Sequence, residues 1–481
     1  MKNKTILEVH NELMNHQISV EQLIREKLDI INQSVTEGSN AFLEIFADEA
    51  LAQAKELDGK IADAQDDLLF GIPGTLKDNI NLINHKTTGG SKSMADYVSV
   101  YDAEVVTNLK KTNSVLLAKT NLDEFGFGGT GTFSTFGIVK NPLDNERITG
   151  GSSSGSAVSV AIGAANYSIA TDTGDSIRRP ASFMGVVGYK PSYGVISRYG
   201  VLPFCSTLDH VGMFANDVTD IAILMNALAK FDSKDFTSVQ LWDKEFVTDI
   251  ASKTEKLNLL VFDDAVTGLN EELKGKFNTL VDNLSKEHNV THVNFGMDLL
   301  NIISPLYKAM AFSEGSTNWQ NLSGITFGKK GFEDYNDYVD LMYAARNSGL
   351  GMQIKSRMIV GNWMISVEHF DAIYRKSRKI RHIIIGRAKE LMKNYDAFLI
   401  PGASTVAFKL ADVLAGTVSS NYCDDALQIA NFAGLPSITI PFTKNSENLP
   451  FGINLTGKKY EDKKVLQVAY QIEQHIKGGK Y

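Results

Sequence analysis

Hydrophobic and polar positions alternate along the chain with the spacings that regular secondary structure requires. Residues 19–22, SVEQ, have the form of a capping box, and apolar positions at helical spacing continue to about Gln33. A second amphipathic pattern covers residues 49–62. The apolar run at residues 114–120 is typical of a buried strand, and the small residues 156–165 favour a tightly packed helix.

In the second half of the chain, predicted strands and helices also follow one another. Apolar runs at residues 257–264, 395–404 and 436–442 predict buried strands, and the last two each run into a proline. Residues 270–287 predict an amphipathic helix. A C-terminal helix is predicted by one apolar face, which comprises Val465, Val468, Ala469, Ile472 and Ile476. The alternation of strands and helices indicates an α/β fold with a partly parallel sheet.

Composition and charge narrow the class of protein. The chain has 481 residues, of which 43% are hydrophobic and 22% charged, so it can bury a large core. No repeat or long linker divides it, and we expect a single domain over residues 1–481 with an N-terminal helical layer at residues 1–65. The net charge of −8 excludes a basic field over the whole surface that would bind nucleic acid. It does not exclude a local stripe of basic residues.

The cysteine content and the lack of targeting patterns indicate in which cellular compartment the protein resides. Cys205 and Cys423 are the only cysteines, which excludes a disulfide framework and a CxxC zinc site. The histidines show no HExxH pattern. Residues 1–28 lack the apolar centre of a signal peptide, and no stretch reaches the roughly 18 apolar residues of a membrane span. We therefore expect a soluble cytoplasmic protein with no metal or cofactor in this chain.

Glycine and serine are concentrated in residues 149–158, TGGSSSGSAV, within a polar stretch from about Gly126 to Gly155. Such a stretch can be a linker or a phosphate-binding loop. A Walker loop is excluded, because GxxxxGK[ST] needs a lysine that is missing here. Long loops inside compact domains are often functional, so this one is a candidate part of a catalytic centre.

Three segments contain the groups that amide hydrolysis without a catalytic histidine requires. They are GIPGTLKDNIN at residues 71–81, GGSSSGSA at residues 150–157 and TDTGDSIRRPAS at residues 171–182. A serine hydroxyl is a weak nucleophile until a neighbouring base takes its proton, and a neutral lysine can be that base. A second serine can relay the proton, and backbone N–H groups of a glycine-containing turn can receive the oxyanion. The residues thus predict a Ser–Ser–Lys triad.

These motifs, in this order and spacing, resemble the amidase signature family, closely over residues 70–211 and more loosely over most of the rest. The resemblance implies a large mixed twisted β-sheet covered by helices on both faces, with residues 70–211 as the signature core. It also implies that Ser176 is the nucleophile, Ser152 the relay serine after a cis peptide bond, and Lys77 the base. The oxyanion hole would comprise the backbone N–H groups of Thr173, Gly174, Asp175 and Ser176.

Within the family, residues 101–125, 193–201 and 431–441 are similar to the glutaminase subunits of tRNA-dependent amidotransferases. This likeness implies that the chain hydrolyses glutamine and supplies ammonia to a partner protein. An arginine suits the α-carboxylate of glutamine, and a carboxylate suits its α-ammonium. The implied glutamine-binding residues are Tyr307, Arg357 and Asp424, with Asp425 as the alternative to Asp424.

The same likeness implies two partners. A kinase partner would bind tRNA, hold ATP and Mg, and phosphorylate the misacylated tRNA, and a small third protein would stabilise the complex. The tRNA would contact mainly the kinase partner. Conversion of Glu-tRNA(Gln) to Gln-tRNA(Gln) is the expected reaction, and Asp-tRNA(Asn) is equally compatible. A stand-alone amidase acting on a small-molecule amide stays open as an alternative, as does a catalytically silent scaffold.

Two positions depart from the family pattern. Asp175 stands where a glycine is usual, and we expect its side chain to face away from the substrate, towards Arg178 or Arg179. GGTGTF at residues 128–133 also departs, which affects the expected wall of the glutamine pocket.

Other residues have plain structural interpretations. Cys205 and His210 fit a buried thiol and a structural histidine better than a Cys–His nucleophile. Asp172 and Arg178 fit an ion pair that braces the turn. Tyr307 could be a core residue, and Arg357 could pair with a surface acid.

Overall fold

The computed structural model describes residues 3–64, 66–241, 245–251, 256–331, 335–418 and 421–479. Met1, Lys2 and Gln65, which belong to the expected N-terminal layer, lie outside the described residues. In the described ranges the strands are β1 (Phe42–Ile45), β2 (Pro73–Lys77), β3 (Val115–Thr120), β4 (Tyr167–Asp172), β5 (Val187–Lys190), β6 (His210–Ala215), β7 (Asn258–Phe262), β8 (Asn289–Val293), β9 (Ala397–Pro401), β10 (Ser437–Lys444) and β11 (Pro450–Thr456).

Helices account for most of the remaining regular structure. They are α1 (Ile6–Met14), α2 (Val20–Thr36), α3 (Ala47–Asp58), α4 (Glu104–Lys110), α5 (Ser154–Ala161), α6 (Arg178–Met184), α7 (Val218–Leu228), α8 (Asp263–Val266), α9 (Glu271–Glu287), α10 (Met297–Asn318), α11 (Tyr338–Gly349), α12 (Met352–Met364), α13 (Lys376–Met392), α14 (Leu410–Ala415), α15 (Tyr422–Asp425), α16 (Gln428–Ala433) and α17 (Asp462–Gly478). Over the parts of the chain described, no helix has both the length and the hydropathy needed to cross a membrane.

The eleven strands form one mixed sheet in the order β1-β3-β2-β4-β6-β5-β10-β11-β9-β7-β8. β2 runs parallel to β3 and β4, and β7 runs parallel to β8 and β9. The other neighbouring pairs are antiparallel. The partly parallel α/β sheet predicted from the sequence is therefore confirmed.

Helices bury both faces of this sheet. Side chains of a strand point alternately to opposite faces, and successive residues of β7 enter different hydrophobic clusters. Leu259 and Val261 pack in the larger cluster, whereas Leu260 and Phe262 pack in the second one. A strand that is apolar on both faces reads as a continuous hydrophobic run, which is why the pattern at residues 257–264 is unbroken.

Local signals located several elements correctly. The capping box at the start of α2 is present, with Ser19 Oγ accepting from Gln22 N at 3.1 Å and Gln22 Oε1 accepting from Ser19 N at 3.1 Å. The strand expected to run into Pro441 instead contains it. The register of β10 against β11 shifts between Pro441 and Thr443, and this bulge accommodates a residue that has no N–H to donate.

Candidate active site

The candidate catalytic residues lie where two parallel strands end. Lys77 is the last residue of β2, and Thr171 and Asp172 end the parallel neighbour β4. Carboxyl ends of parallel strands meet at the same edge of a sheet, where ligands commonly bind. The loop after β4 carries Ser176 and leads directly into α6.

Lys77 is fully buried and contacts three hydroxyl groups. Its Nζ lies 2.8 Å from Ser152 Oγ, 2.8 Å from Ser153 Oγ and 3.0 Å from Thr171 Oγ1. Ser153 Oγ donates its own proton to Thr171 O at 3.0 Å, so it accepts from Lys77. A neutral amine has two N–H groups and one lone pair. Because Ser153 can only accept, the lone pair of a neutral Lys77 is available to the hydroxyl of Ser152 or of Thr171.

The electrostatic environment favours this neutral amine. Burial lowers the pKa of Lys77 to about 7, although the carboxylates of Asp123, Asp172 and Asp209 act in the opposite direction. A lysine with a pKa near neutrality can accept a proton from a hydroxyl group, which an ordinary surface lysine cannot do at pH 7.

The loop that carries Ser152 is held close to the loop of Ser176. The peptide bond between Gly151 and Ser152 is cis. A Cβ at Gly151 would stand 2.1 Å from Asp123 Oδ2, so only glycine allows this approach of the backbone to the carboxylate. Ser153 N donates to Ser176 O at 3.3 Å, which joins the two serine-bearing loops directly.

The turn at residues 173–176 presents free donors beside the nucleophile candidate. Within the described part of the chain, the backbone N–H groups of these four residues donate no hydrogen bond. Successive N–H groups of this kind can receive an oxyanion. Ser176 itself is buried. The turn thus has four consecutive backbone N–H groups that are available to an oxyanion.

A buried ion pair braces this turn, as expected. Arg178 Nη2 donates to Asp172 Oδ1 at 3.0 Å and Arg178 Nε donates to Asp172 Oδ2 at 3.1 Å. Asn431 Nδ2 also donates to Asp172 Oδ1, at 2.9 Å. Burial by itself would raise the pKa of Asp172, but Arg178 and Asn431 hold it below its usual range. Asp172 stays a carboxylate and fixes the start of α6.

Asp175 pairs with Arg179 rather than with Arg178. Its Oδ2 lies 3.0 Å from Arg179 Nε, and Arg179 Nη2 donates to Gly129 O at 3.1 Å. Burial raises the pKa of Asp175 to about 6, against the opposing effect of Arg179. The guanidinium thus offsets the charge that the unusual aspartate introduces next to Ser176.

Tyr307 and Arg357 approach the same centre from α10 and α12. A Cβ at Gly174 would stand 3.0 Å from Cε2 of Tyr307, so the ring covers the turn. The guanidinium carbon of Arg357 lies 4.9 Å from the centroid of the Phe127 ring, and its Nη1 donates to Phe127 O. The described residues include no acid that pairs with Arg357. Its charge interacts instead with the faces of aromatic rings.

Asp424 and Asp425 differ in how the protein engages them. Asp424 accepts from Ser404 N at 2.8 Å, from Ser404 Oγ at 2.7 Å and from Asn421 N at 3.1 Å. Asp425 accepts from Gln428 Nε2 at 3.3 Å. Burial, together with the neighbouring Asp424, raises the pKa of Asp425 to about 7. A carboxylate has about four acceptor positions, so Asp424 keeps one and Asp425 keeps more.

The motifs do not reveal the groups that orient Lys77. Thr171 and Ser153 both lie inside the three motifs, but nothing in those motifs shows that they contact the lysine. Asn79, two residues after Lys77, donates to Thr171 Oγ1 at 3.0 Å and was also missed. Asp123 lies in a quoted segment and anchors the glycine-rich loop, accepting from Gly131 N at 3.1 Å and Phe133 N at 2.9 Å.

The remaining candidates have structural surroundings. Cys205 and Cys423 are both buried and free of disulfides. Burial raises the pKa of the Cys205 thiol well above its ordinary value, which opposes a nucleophilic role. Among the residues that the structure describes, no group of three or more His, Cys, Asp or Glu side chains is placed to hold a metal ion.

Comparison with known proteins assigns the family. The amidase family model matches residues 23–466, which is most of the chain. The chain belongs to the amidase family. It is 38% identical over 466 residues to the A subunit of glutamyl-tRNA(Gln) amidotransferase from Mycoplasma genitalium, which covers 95% of this chain and 98% of that protein. With the same protein from Streptococcus thermophilus it shares 37% identity over 479 residues, 98% of this chain and 96% of that one.

A solved structure of the family agrees with this assignment. The crystal structure of the A subunit of glutamyl-tRNA(Gln) amidotransferase from Thermotoga maritima superposes with a TM-score of 0.77 and 29% sequence identity. The match covers 99% of this chain and 96% of that one. The large mixed sheet covered by helices, inferred from the motif resemblance, is therefore confirmed as the fold of an amidase family member.

Proposed function

We propose that the chain is the glutaminase subunit of a tRNA-dependent amidotransferase. The observation that carries the proposal is the 2.8 Å contact between Lys77 Nζ and Ser152 Oγ in a fully buried site. The names of two relatives matched over nearly their whole length support glutamine, rather than another amide, as the substrate.

In the proposed reaction, Ser176 Oγ forms a bond to the side-chain carbonyl carbon of glutamine. Its proton passes to Ser152 Oγ while the proton of Ser152 passes to Lys77 Nζ. The C–N bond then breaks, and the proton held by Lys77 returns through Ser152 to the departing nitrogen, which leaves as ammonia. A water molecule hydrolyses the glutamyl ester by the same proton route and releases glutamate.

The turn that precedes Ser176 stabilises the tetrahedral intermediate. The free N–H groups of Thr173, Gly174, Asp175 and Ser176 follow one another up to the nucleophile. Arg178 fixes this turn, because it pairs with Asp172 and donates to Gly174 O at 2.7 Å. Donors held in place before the reaction need no reorganisation as negative charge develops on the oxygen.

Glutamine is held through both of its charged groups, the α-carboxylate and the α-ammonium. Arg357 binds the α-carboxylate, because its guanidinium is anchored by Phe127 O and by the side-chain oxygen of Gln353 and keeps two of its five N–H groups for a ligand. Asp424 accepts from the α-ammonium with its remaining acceptor position, and the ionised form of Asp425 adds to the attraction. Tyr307, whose hydroxyl forms no hydrogen bond with the described residues, closes the pocket over the turn.

The ammonia is consumed at a partner protein. The kinase partner, or B subunit, binds tRNA and uses ATP and Mg to activate the misacylated Glu-tRNA(Gln), and a small C subunit completes a heterotrimer. The names of the relatives, which are components of glutamyl-tRNA(Gln) amidotransferases, support these assignments. The net charge of −8 is compatible with a chain that leaves most tRNA contacts to its partner.

A reconstitution experiment tests the proposal. The tagged chain is purified from native lysate with its bound partners and assayed for glutamine-dependent amidation of Glu-tRNA(Gln), with Asp-tRNA(Asn) in parallel. We expect amidation that requires ATP and is lost in the Ser176→Ala complex, while added ammonium restores it. Hydrolysis of small amides by the isolated chain, with no partner recovered and no amidation, would favour the stand-alone amidase.

A further inference from the structure

A small cavity lies directly behind the candidate catalytic centre. Its walls include Asn79 and Thr171 from the Lys77 side, Thr173 from the turn, and Arg198, Asp209 and His210 from the opposite side. The volume open to the centre of a water-sized sphere is about 10 Å³. This matches the roughly 10–15 Å³ that one water molecule needs.

Two walls of the cavity carry buried acceptors without donors. Asn79 Nδ2 is used by Thr171, and Asn79 Oδ1 forms no hydrogen bond with the described residues. Nδ1 of His210 lies 2.6 Å from Leu208 O and must donate to that carbonyl, which leaves Nε2 as a bare acceptor, also unpartnered among the described residues. Burial holds the pKa of His210 well below its ordinary value, so the ring stays neutral.

A third wall carries an unused donor. Arg198 donates from Nη1 to Ser206 O and from Nη2 to Thr237 Oγ1. Its Nε is buried and forms no hydrogen bond with the described residues; Asp235 Oδ2, at 3.9 Å, is too far away to accept. Leaving three buried polar atoms unsatisfied would be costly, since each lost partner costs on the order of 1–3 kcal/mol.

The occupant that satisfies all three atoms has a defined chemistry. The cavity has room for one heavy atom, and an occupant placed to reach all three unpartnered atoms donates to Asn79 Oδ1 and His210 Nε2 and accepts from Arg198 Nε. We propose that this cavity binds one small neutral molecule, either water or ammonia, through hydrogen bonds with Asn79, His210 and Arg198. Ammonium does not fit, because it has no lone pair to accept from the arginine.

The site borders the catalytic groups on two sides. Asn79 lines the cavity, and its Nδ2 lies 3.0 Å from Thr171 Oγ1. Lys77 Nζ lies 3.0 Å from the same oxygen. Thr173 lines the cavity and belongs to the turn with free N–H groups. The occupant therefore fixes the amide of Asn79, and through Thr171 the position of the lysine. The site itself does not depend on which amide is hydrolysed; only occupation by ammonia rests on the proposed glutaminase function.

Diffraction on the unmodified protein tests the site. High-resolution X-ray data should show one solvent peak within hydrogen-bonding distance of Asn79 Oδ1, His210 Nε2 and Arg198 Nε. Neutron data from deuterium-exchanged crystals distinguish the two sources, because water shows two deuterons and ammonia three. Crystals with and without added glutamine are compared; ammonia is expected only with glutamine. An empty cavity, or protein donors and acceptors on all three atoms, overturns the proposal.

A variant tests the ligand assignment independently. His210→Leu removes one acceptor, and we expect its structure to lose the solvent peak. The matched control is His292→Leu, at an exposed histidine that pairs with Asp263, and it should keep the peak. Persistence of the peak in His210→Leu overturns the site as proposed. If that variant does not fold, the unmodified protein still decides the question.

Discussion

The ring of Tyr307 lies against the backbone of Gly174, so that a methyl group at Gly174 would stand 3.0 Å from Cε2 and 3.3 Å from the hydroxyl oxygen of the tyrosine. The two residues are far apart in the chain. Their contact places the side chain of Tyr307, on α10, over the turn that precedes Ser176. The hydroxyl of Tyr307 thereby lies beside the turn that we propose as the oxyanion hole.

Tyr307→Phe keeps this packing and removes only the hydroxyl. We expect KM for glutamine to rise about tenfold, equivalent to about 1.4 kcal/mol, with kcat within about threefold of the parent. Steady-state kinetics on the assembled complex measures both. Tyr338→Phe, at an exposed tyrosine, is the control. An unchanged KM would remove Tyr307 from the substrate-binding residues.

Lys77→Met removes the proposed base without adding a charge. Loss of a positioned base should lower kcat by roughly 10²–10⁴-fold. Lys92→Met, at an exposed lysine, should leave kcat unchanged. In the parent enzyme kcat should rise with pH through about 7, because only the neutral form of Lys77 accepts a proton. A profile that is flat between about pH 6 and pH 8 would contradict this role.

The same substitution should stabilise the fold. The pKa of Lys77 falls from 10.5 to about 7 on folding, so between these values the unfolded chain binds a proton that the folded chain does not. The contribution of Lys77 to stability therefore rises with pH across this window and is least favourable below it. Lys77→Met should raise Tm more at about pH 6 than at about pH 9. Equal shifts at both pH values would mean that the lysine is not desolvated.

Asp424→Asn and Asp425→Asn form a matched pair. We expect Asp424→Asn to raise KM for glutamine at least tenfold, about 1.4 kcal/mol, because it removes the charge that holds the α-ammonium. Asp425→Asn should raise KM less. Kinetics and thermal unfolding of both variants separate binding from stability. The reverse order of KM values would move the ammonium contact to Asp425.

Asp175→Asn tests the residue that departs from the family pattern. The buried Arg179 loses the negative charge that lies 3.0 Å from its Nε, and the free energy of unfolding should fall by about 1–3 kcal/mol. The nucleophile and base are untouched, so kcat should stay within about tenfold of the parent. Chemical denaturation and kinetics measure the two effects. Complete loss of activity would show that Asp175 acts in the reaction itself.

Local patterns predicted the elements whose signals are contained in a short stretch of chain. The capping box of α2, the apolar run of β3 and the apolar face of α17 need only neighbouring residues, and all three elements formed where expected. The apolar run at residues 436–442 located β10, but not its bulge at Pro441, because a bulge depends on the partner strand. The motifs locate Lys77, Ser152 and Ser176 in the sequence, but they do not show the 2.8 Å contact between Lys77 Nζ and Ser152 Oγ.

The sequence by itself determined the chemistry that this protein can perform. It supplies a lysine, two serines in separate motifs and a glycine-bearing turn, and these residues are present whatever the fold. Only the tertiary structure decided which of these groups are in contact and what the pKa of the lysine is. The parallel pairing of β2 with β4 places Thr171 beside Lys77, and burial lowers the pKa of that lysine to about 7. Desolvation and long-range contacts depend on the whole packed chain, which is why no motif can specify them.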